Sequence, residues 1–388
     1  MAKIESLFPI LQPSPTAGPV LAGLARIAAE APLDSSGCLT EYRPLTSRTI
    51  LNKVTSNRGL PFSHAINPYR GCEFACRYCY ARYTHEFMEM TPDEFERKIY
   101  FKQNAAWLLE QELKRLKPGT EIAIGTATDP YQPLEKKLKI TRSLLEVFAR
   151  HSGFRVGIIS KSALIVRDID VLKEVARNNQ LTMHITVTTM NAKLARQLEP
   201  RAPRPDLRMR TVSEMRQSGL RAGVMCSPLM PGITDSASSV RAVARAAAAA
   251  GASFLAAGAL FLKPCSLPTF LGFVREHFPD QLTAYERRYA GSAFVSGAYR
   301  ERMAALVDQI CKEFKLGKRY SYYEEAAREA EGLVAAGLEG AGLAGAGLAG
   351  AGLERSGLEG AGLAGDALKR SVVEIQPWLP FASESRCA

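Results

Sequence analysis

The chain has 388 residues, with 50 Lys+Arg against 39 Asp+Glu and a formal net charge of +11. At 46% hydrophobic and 23% charged it has the make-up of a folded globular protein, long enough to bury a core without disulfide staples. Wholesale disorder and a small disulfide scaffold are excluded, and the positive charge admits nucleic acid, an anionic cofactor or an acidic protein as partner.

Residues 1–45 are rich in Pro, Ala and Ser and read as a leader with at most one short helix over 21–31. The opening MAKIESLFPILQPSPTAGPV lacks the apolar run of a secretory signal. The stretch 246–262 is free of charge, but it is mostly Ala and Gly and Gly251 divides it. It reads as an Ala helix ended by a glycine and followed by a buried strand, rather than as a membrane span. The expectation is a cytoplasmic protein with no membrane partner.

From 62 to 262 short apolar runs alternate with helical patterns. Strands are predicted at 122–125, 155–159, 183–188, 221–225 and 253–262, and helices at 93–116, 141–151, 164–178, 191–198, 205–218 and 236–250. This order predicts an α/β fold, a parallel sheet covered by helices and either open or curled into a partial barrel. Such sheets bind ligands at the carboxyl ends of their strands. Beyond 262 the pattern is helical, at 266–278, 280–290 and 298–315. In 331–370 a leucine recurs every fifth residue from Leu333 to Leu368, amid twelve of the 30 glycines. A helix would wind those leucines into a spiral with no stripe. A flexible low-complexity linker is predicted, with a small β-solenoid as the other reading, followed by a tail over 371–388.

Three of the eight cysteines, Cys72, Cys76 and Cys79, fall within eight residues in NPYRGCEFACRYCYARYTHEF. The others are scattered, so a metal or redox centre is favoured over disulfides. Zinc would need a fourth ligand, from His64 or His85. A [4Fe–4S] cluster on three cysteines keeps one iron open to a substrate or cofactor.

The motif C-x3-C-x-aromatic-C, with Tyr78 before Cys79, resembles the signature of the radical SAM superfamily. The resemblance implies a partial (β/α)6 TIM-type barrel over 58–300 with a helical extension over 301–330. It further implies a [4Fe–4S] cluster on Cys72, Cys76 and Cys79, and S-adenosylmethionine (SAM) chelated to the open iron with Tyr78 beside its adenine. GTATDPYQPLEKKLKITRSLLEV, ISKSALIVRD, LEPRAP and GVMCSPLMPGITD resemble the branch that holds spore photoproduct lyase and its uncharacterised bacterial relatives, across about 60–300. NPYRGC and THEF are closer to the latter, although those relatives read RPTH where this chain has Arg82-Tyr83-Thr84-His85.

By this resemblance Thr128 matches a SAM-contacting hydroxyl and Asp129 is the acid beside it, unless the pair only shapes a turn before Pro130. Lys161, closing the next strand, would pair with the methionyl carboxylate of SAM. Thr186, one strand further, would bond the ribose or the amino-acid end. Spore photoproduct lyases carry a hydrogen-donating cysteine in the loop matching Gly125–Asp129, where this chain has Thr126. An alcohol O–H is too strong to give hydrogen to a carbon radical at a useful rate, so the lyase chemistry is not expected to transfer. Cys226, ending a strand, is the remaining candidate hydrogen donor, against its commoner use as a small core hydrophobe.

Arg201, Arg204, Arg208, Arg210, Arg216 and Arg221 form the densest basic stretch, read as phosphate contacts or as a solvated helix face without aromatics for base stacking. Two functions follow. The first is a radical SAM enzyme fed by a low-potential electron donor of flavodoxin or ferredoxin type, acting on an unknown substrate, nucleic acid among the candidates. The second is a nucleic-acid-binding protein with a structural or redox-sensing cluster, or a DNA-repair lyase.

Overall fold

The computed structural model describes residues 21–37, 39–54, 62–317 and 319. The strands in chain order are β1 Ser35–Ser36, β2 Glu41–Leu45, β3 Leu51–Lys53, β4 His64–Ile66, β5 Tyr69–Arg70 and β6 Lys98–Lys102. They continue as β7 Glu121–Ile124, β8 Arg155–Ser160, β9 Gln180–Thr186, β10 Ala222–Leu229 and β11 Leu255–Ala259. A seven-stranded sheet runs in the order β11-β10-β9-β8-β7-β4-β3. The pairings from β4 through β11 are parallel, and β3 closes one edge antiparallel. Six parallel strands in sequential order, with intervening helices, form the expected partial (β/α)6 barrel.

The helices bury apolar stripes against this sheet. Ile140–Arg150 buries Leu144, Leu145, Val147 and Phe148, and Ile169–Asn178 buries Val171, Leu172 and Val175. Two later helices start on side-chain caps, Asn191 ahead of Ala192–Leu198 and Ser236 ahead of Ala237–Ala249. Asp235, next to that second cap, instead accepts from the Gly232 amide at 2.8 Å and from the Tyr299 hydroxyl at 2.9 Å. The helical extension is present as Gly297–Glu313, packed on the sheet through Val307, Ile310 and Cys311. Among the described residues no helix is long and apolar enough to cross a membrane, and Ala246–Leu262 contains the end of one helix and all of β11.

Two expectations fail locally. The helix predicted over 93–116 is a short 3-10 turn at Pro92–Glu96, then β6, then the helix Ala105–Leu113. In β6, Ile99, Tyr100 and Phe101 are all buried, so both faces of this short strand are covered and the alternation that marks a strand is lost. The part of the supposed leader that is described is folded. Gly23–Glu30 is the one short helix expected over 21–31, with Ala25 and Ala28 buried, and the departure is that β1 and β2 join β6 and β5 in a second sheet of order β1-β2-β6-β5. That sheet backs the cysteine loop. The period-five repeat and the tail lie outside the described residues.

Candidate functional site

The cysteine loop leaves β5 at Gly71, whose φ is +83°. A Cβ there would stand 2.7 Å from the Phe95 carbonyl oxygen and 2.8 Å from that of Lys98, so glycine is required at this approach. Each turn of the loop is fastened from outside. The Cys72 amide donates to Phe95 O at 3.1 Å, the Glu73 amide to Gln132 Oε1 at 3.0 Å, and the Arg77 amide to Leu198 O at 2.8 Å. Ser266 Oγ donates to the Cys79 carbonyl at 2.8 Å. The chain is thereby tied outward while Cys72, Cys76 and Cys79 all face one cavity at the carboxyl ends of the barrel strands.

That cavity is also lined by Tyr78, Thr128, Asp129, Lys161 and Thr186. The structure therefore brings together eight of the nine candidate residues. Two of them also make bonds within the chain that shape the neighbouring loops. Thr128 Oγ1 donates to the Gly71 carbonyl at 2.6 Å and accepts from Gln132 Nε2 at 3.3 Å, so it buttresses the start of the cysteine loop. Asp129 accepts from Ser160 Oγ at 2.8 Å, Lys161 N at 2.7 Å and Tyr131 N at 2.9 Å. Burial pushes its carboxyl up, against the pull of these donors and of the Lys161 charge. Asp129 is a brace between two loops, and it sets the path on which Lys161 enters the cavity.

Lys161 Nζ stands 5.7 Å from the centroid of the Tyr78 ring. Burial opposes its charge, but the Cys76 sulfur, Glu199 and Asp129 outweigh it and hold the ammonium more firmly protonated than an ordinary lysine. The Tyr78 hydroxyl donates to Glu199 and lies 3.2 Å from Thr188 Oγ1. Thr188 Oγ1 lies 3.1 Å from Glu199 Oε1, and Arg208 pairs with Glu199 Oε2 at 2.5 Å. Arg208 also donates to the carbonyls of Thr186 at 3.1 Å and Pro203 at 2.7 Å. A buried ion pair thus stands directly behind the aromatic residue of the cysteine motif.

Cys226 is the exception. It is fully buried, does not line the cavity, and its sulfur lies 3.9 Å from the Thr188 carbonyl with Cys311 nearby. The reason is strand parity: on β10 Met225 and Ser227 line the cavity, so Ala222, Val224 and Cys226 share the opposite face. Among the described residues, the cysteines lining the cavity are Cys72, Cys76 and Cys79 alone. Thr126 does line it, at the place discussed for the lyases, with its hydroxyl accepting from Asn67 Nδ2 at 3.2 Å.

Sequence reasoning passed over several wall residues. Tyr80 lines the cavity and donates its hydroxyl to the Thr126 carbonyl; its ring meets Phe261 at 6.2 Å between centroids. Phe62, Met225 and Leu260 complete an apolar side. The aromatic residue directly after Cys79 was the one readable signal for any of these. Gly125, at the turn into the Thr126–Asp129 loop, has a φ of +88°. A Cβ there would stand 2.5 Å from Pro130 Cδ and 2.6 Å from Ile159 O. Gly125→Ala is expected to lose roughly 1–3 kcal/mol in denaturant unfolding, the cost of forcing a side chain into a left-handed, crowded position.

The residues outside the cavity settle into structural places. His85 Nε2 lies 2.9 Å from the Lys98 carbonyl, and burial takes its pKa down to about 4. His64 sits at the start of β4, outside the cavity lining, with its Nδ1 2.9 Å from Ser63 Oγ. Neither His64 nor His85 lines the cavity of the three thiols, so neither stands there as the fourth ligand that zinc would need. Three thiols spaced around one cavity fit a larger metal–sulfur cage. Burial pushes all three thiols up, Cys76 to about 12, so binding a metal there would have to displace their protons.

Fold and site together define a member of the radical SAM superfamily, and the chain belongs to that family: its "Radical SAM superfamily" profile matches residues 66–240. Curated relatives include "Uncharacterized protein Rv2578c" of Mycobacterium tuberculosis (strain ATCC 25618 / H37Rv). It is 30% identical over 277 residues, 71% of this chain and 81% of the relative. "Uncharacterized protein MJ0683" of Methanocaldococcus jannaschii is 27% identical over 172 residues, 44% of this chain and 62% of the relative. Among solved structures, spore photoproduct lyase complexed with dinucleoside spore photoproduct is similar in fold. Its TM-score is 0.52 at 13% identity, covering 70% of this chain and 79% of that one.

Proposed function

We propose that the protein is a radical SAM enzyme that uses a [4Fe–4S] cluster on Cys72, Cys76 and Cys79. The observation that carries this is the sharing of one cavity by the three thiols, the Lys161 ammonium and the Thr186 side. When bound, the cluster would supply one electron to SAM, splitting it into methionine and a 5′-deoxyadenosyl radical that takes hydrogen from the substrate. The chain's own residues bind and orient. Lys161 presents a compact positive charge to a carboxylate, and Asp129 fixes the loop that carries it. Tyr78, clamped by Glu199, forms a flat wall beside Lys161. The apolar side made by Phe62, Met225, Leu260 and Phe261 would keep water from a reactive radical.

The test is anaerobic reconstitution followed by dithionite and SAM. Formation of 5′-deoxyadenosine supports the reading, and a fully loaded cluster that leaves SAM intact sinks it. Lys161→Met is expected to weaken SAM binding roughly 10- to 100-fold, the ~1.5–3 kcal/mol of a hydrogen bond to a charged group. Equilibrium dialysis of SAM against the loaded protein measures this.

The reading as a nucleic-acid-binding protein draws its support from the basic stretch, and most of those arginines are engaged within the chain. Arg208 pairs with Glu199, Arg204 with Asp206, and Arg216 donates to the carbonyls of Gly251 and Leu220. Arg201 reaches the Glu96 carbonyl and Arg221 lies over Phe254. Spore photoproduct lyase chemistry needs a hydrogen donor, and Thr126 does not supply one. The substrate of this chain is therefore left to be found by the apolar, aromatic character of its cavity.

A further inference from the structure

In the second sheet, β1-β2-β6-β5, Tyr69, Ile99 and Phe101 pack into the main core. Strand alternation places Arg70, Lys98, Tyr100 and Lys102 on the other face, and the pairing of Arg43 with Tyr100 brings Arg43 there too. Two of these four cations have partners. Arg43 pairs with Glu41 at 3.0 Å and donates to the Ala31 carbonyl at 2.7 Å, and Lys98 pairs with Glu94 at 2.6 Å. Arg70 and Lys102 differ: among the described residues neither side chain forms an ion pair or a hydrogen bond. Arg70 Nε is enclosed without an acceptor, and Lys102 is 5% exposed. The two sit together. Arg70 stands opposite Tyr100 on the antiparallel pair β5–β6, so Lys102, two residues along, is its diagonal neighbour, within reach of long side chains. Burial and the Arg70 charge together draw Lys102 down to about 7. Glu112 also acts on Lys102, but its carboxylate already accepts from the Ile50 and Leu51 amides at 3.0 and 2.8 Å. Two like charges held side by side away from water are costly unless an anion joins them.

We infer that Arg70 and Lys102 form a binding site for a phosphate group, free or carried on a small phosphorylated molecule. The guanidinium offers a planar fork of donors and the ammonium a compact charge, a complementary pair for a tetrahedral dianion. The apolar cluster of Ala28, Leu45, Met88 and Tyr100 covers the middle of this face, and bonds made beside such a low-dielectric wall are strengthened. Lys102 is buried and Arg70 half-buried, so the site opens on the Arg70 side. That enclosure suits a terminal phosphate rather than the diester backbone of a duplex. Neither residue lines the thiol cavity, so the site does not depend on the radical chemistry proposed there, although Arg70 leads directly into Gly71 and Cys72.

Titration calorimetry of the full chain at constant ionic strength, with inorganic phosphate, glycerol 3-phosphate and acetate, tests this. Phosphate is expected to bind the wild type and to raise its melting temperature above that in chloride. Lys102→Met and Arg70→Gln are each expected to weaken binding at least tenfold and to remove the added thermal shift. Lys102→Met relieves a buried repulsion, so in chloride it should stay as folded as the wild type by circular dichroism. Lys98→Met is the control: it lies on the same face but is paired with Glu94, and it should bind phosphate as the wild type does. Binding of glycerol 3-phosphate alongside phosphate identifies a site open to phosphorylated ligands. Binding of phosphate alone identifies an enclosed ion, and either result supports the site. A wild type that binds phosphate no better than chloride overturns the inference. So does unchanged binding in Lys102→Met and Arg70→Gln, or acetate binding as tightly as phosphate.

Discussion

Cys76→Ala is expected to yield a folded protein that takes up no stable iron–sulfur cluster and forms no 5′-deoxyadenosine. The thiol is buried, yet it is a small group, and its removal should cost about 1 kcal/mol of stability, the ordinary scale for a point substitution. The loop does not depend on it for shape. Its path is set by Gly71, by the amides of Cys72, Glu73 and Arg77, and by Ser266 on the Cys79 carbonyl. The loss therefore falls on the metal and not on the fold, because two thiols cannot hold a cage built for three. Visible absorbance, iron content and circular dichroism measured together separate these effects. Cys226→Ala is the matched control. It removes a thiol that is just as buried but faces the opposite side of β10, so cluster content and SAM cleavage should both be retained. A Cys226→Ala protein that cleaves SAM but no longer turns over its substrate would return a hydrogen-donating role to that residue.

What the sequence disclosed about the site was its loop chemistry. The cysteines, Thr128, Asp129, Lys161 and Thr186 lie at or just past strand ends, and the alternation of strand and helix was enough to bring those ends to one face. What it concealed depended on register. Cys226 and Met225 are neighbours in sequence, and only the pairing of Val224 with Ile185 and Leu255 decides which of them looks into the barrel. The role of Asp129 was hidden in the same way, since its partners Ser160 and Lys161 come from the next strand. In the fold, β6 was taken for helix because tertiary cover on both faces removed the alternation that distinguishes a strand. The described part of the leader was misread because a Pro/Ala-rich composition does not reveal that β2 has a partner 57 residues on, as Glu41 pairs with Lys98.

The basic balance of the chain takes a different meaning once its arginines are followed to their partners. Several of those between 201 and 221 hold loops and helix ends together, so the density of positive charge in the sequence exceeds what the surface offers to a polyanion. The cavity points the same way. Its charged residues are Lys161 and Asp129, and the remaining wall is apolar and aromatic with the hydroxyl groups of Thr126, Thr128, Ser160, Thr186 and Ser227. A phosphate-rich substrate would have to be gripped elsewhere, with only an uncharged part entering the cavity.

Arg208→Met is expected to destabilise the protein by about 3–5 kcal/mol, the cost of leaving a buried charge without its partner. Glu199 is 1% exposed, and Arg208 is 1% exposed beside it at 2.5 Å. Burial resists the Glu199 charge, but Arg208, Lys161 and the Tyr78 hydroxyl together hold its carboxyl below the usual range. Without Arg208 the carboxyl must either stay charged in an apolar setting or take up a proton. Because the folded pKa is depressed in the native pair, the stabilisation it provides is present above the unfolded carboxylate range and fades as the pH falls through the folded value. The variant's deficit should accordingly be largest at neutral pH and shrink in acid. Denaturant unfolding of the wild type and Arg208→Met at pH 7 and at pH 4 measures both the size and the sign. Adding Glu199→Gln to Arg208→Met should recover much of the loss, because a neutral amide no longer needs the guanidinium. The double variant would still lack the carboxylate that holds the Tyr78 hydroxyl, so it should regain stability without regaining full affinity for SAM. Recovery of both together would show that Tyr78 needs no clamp and that the pair serves folding alone.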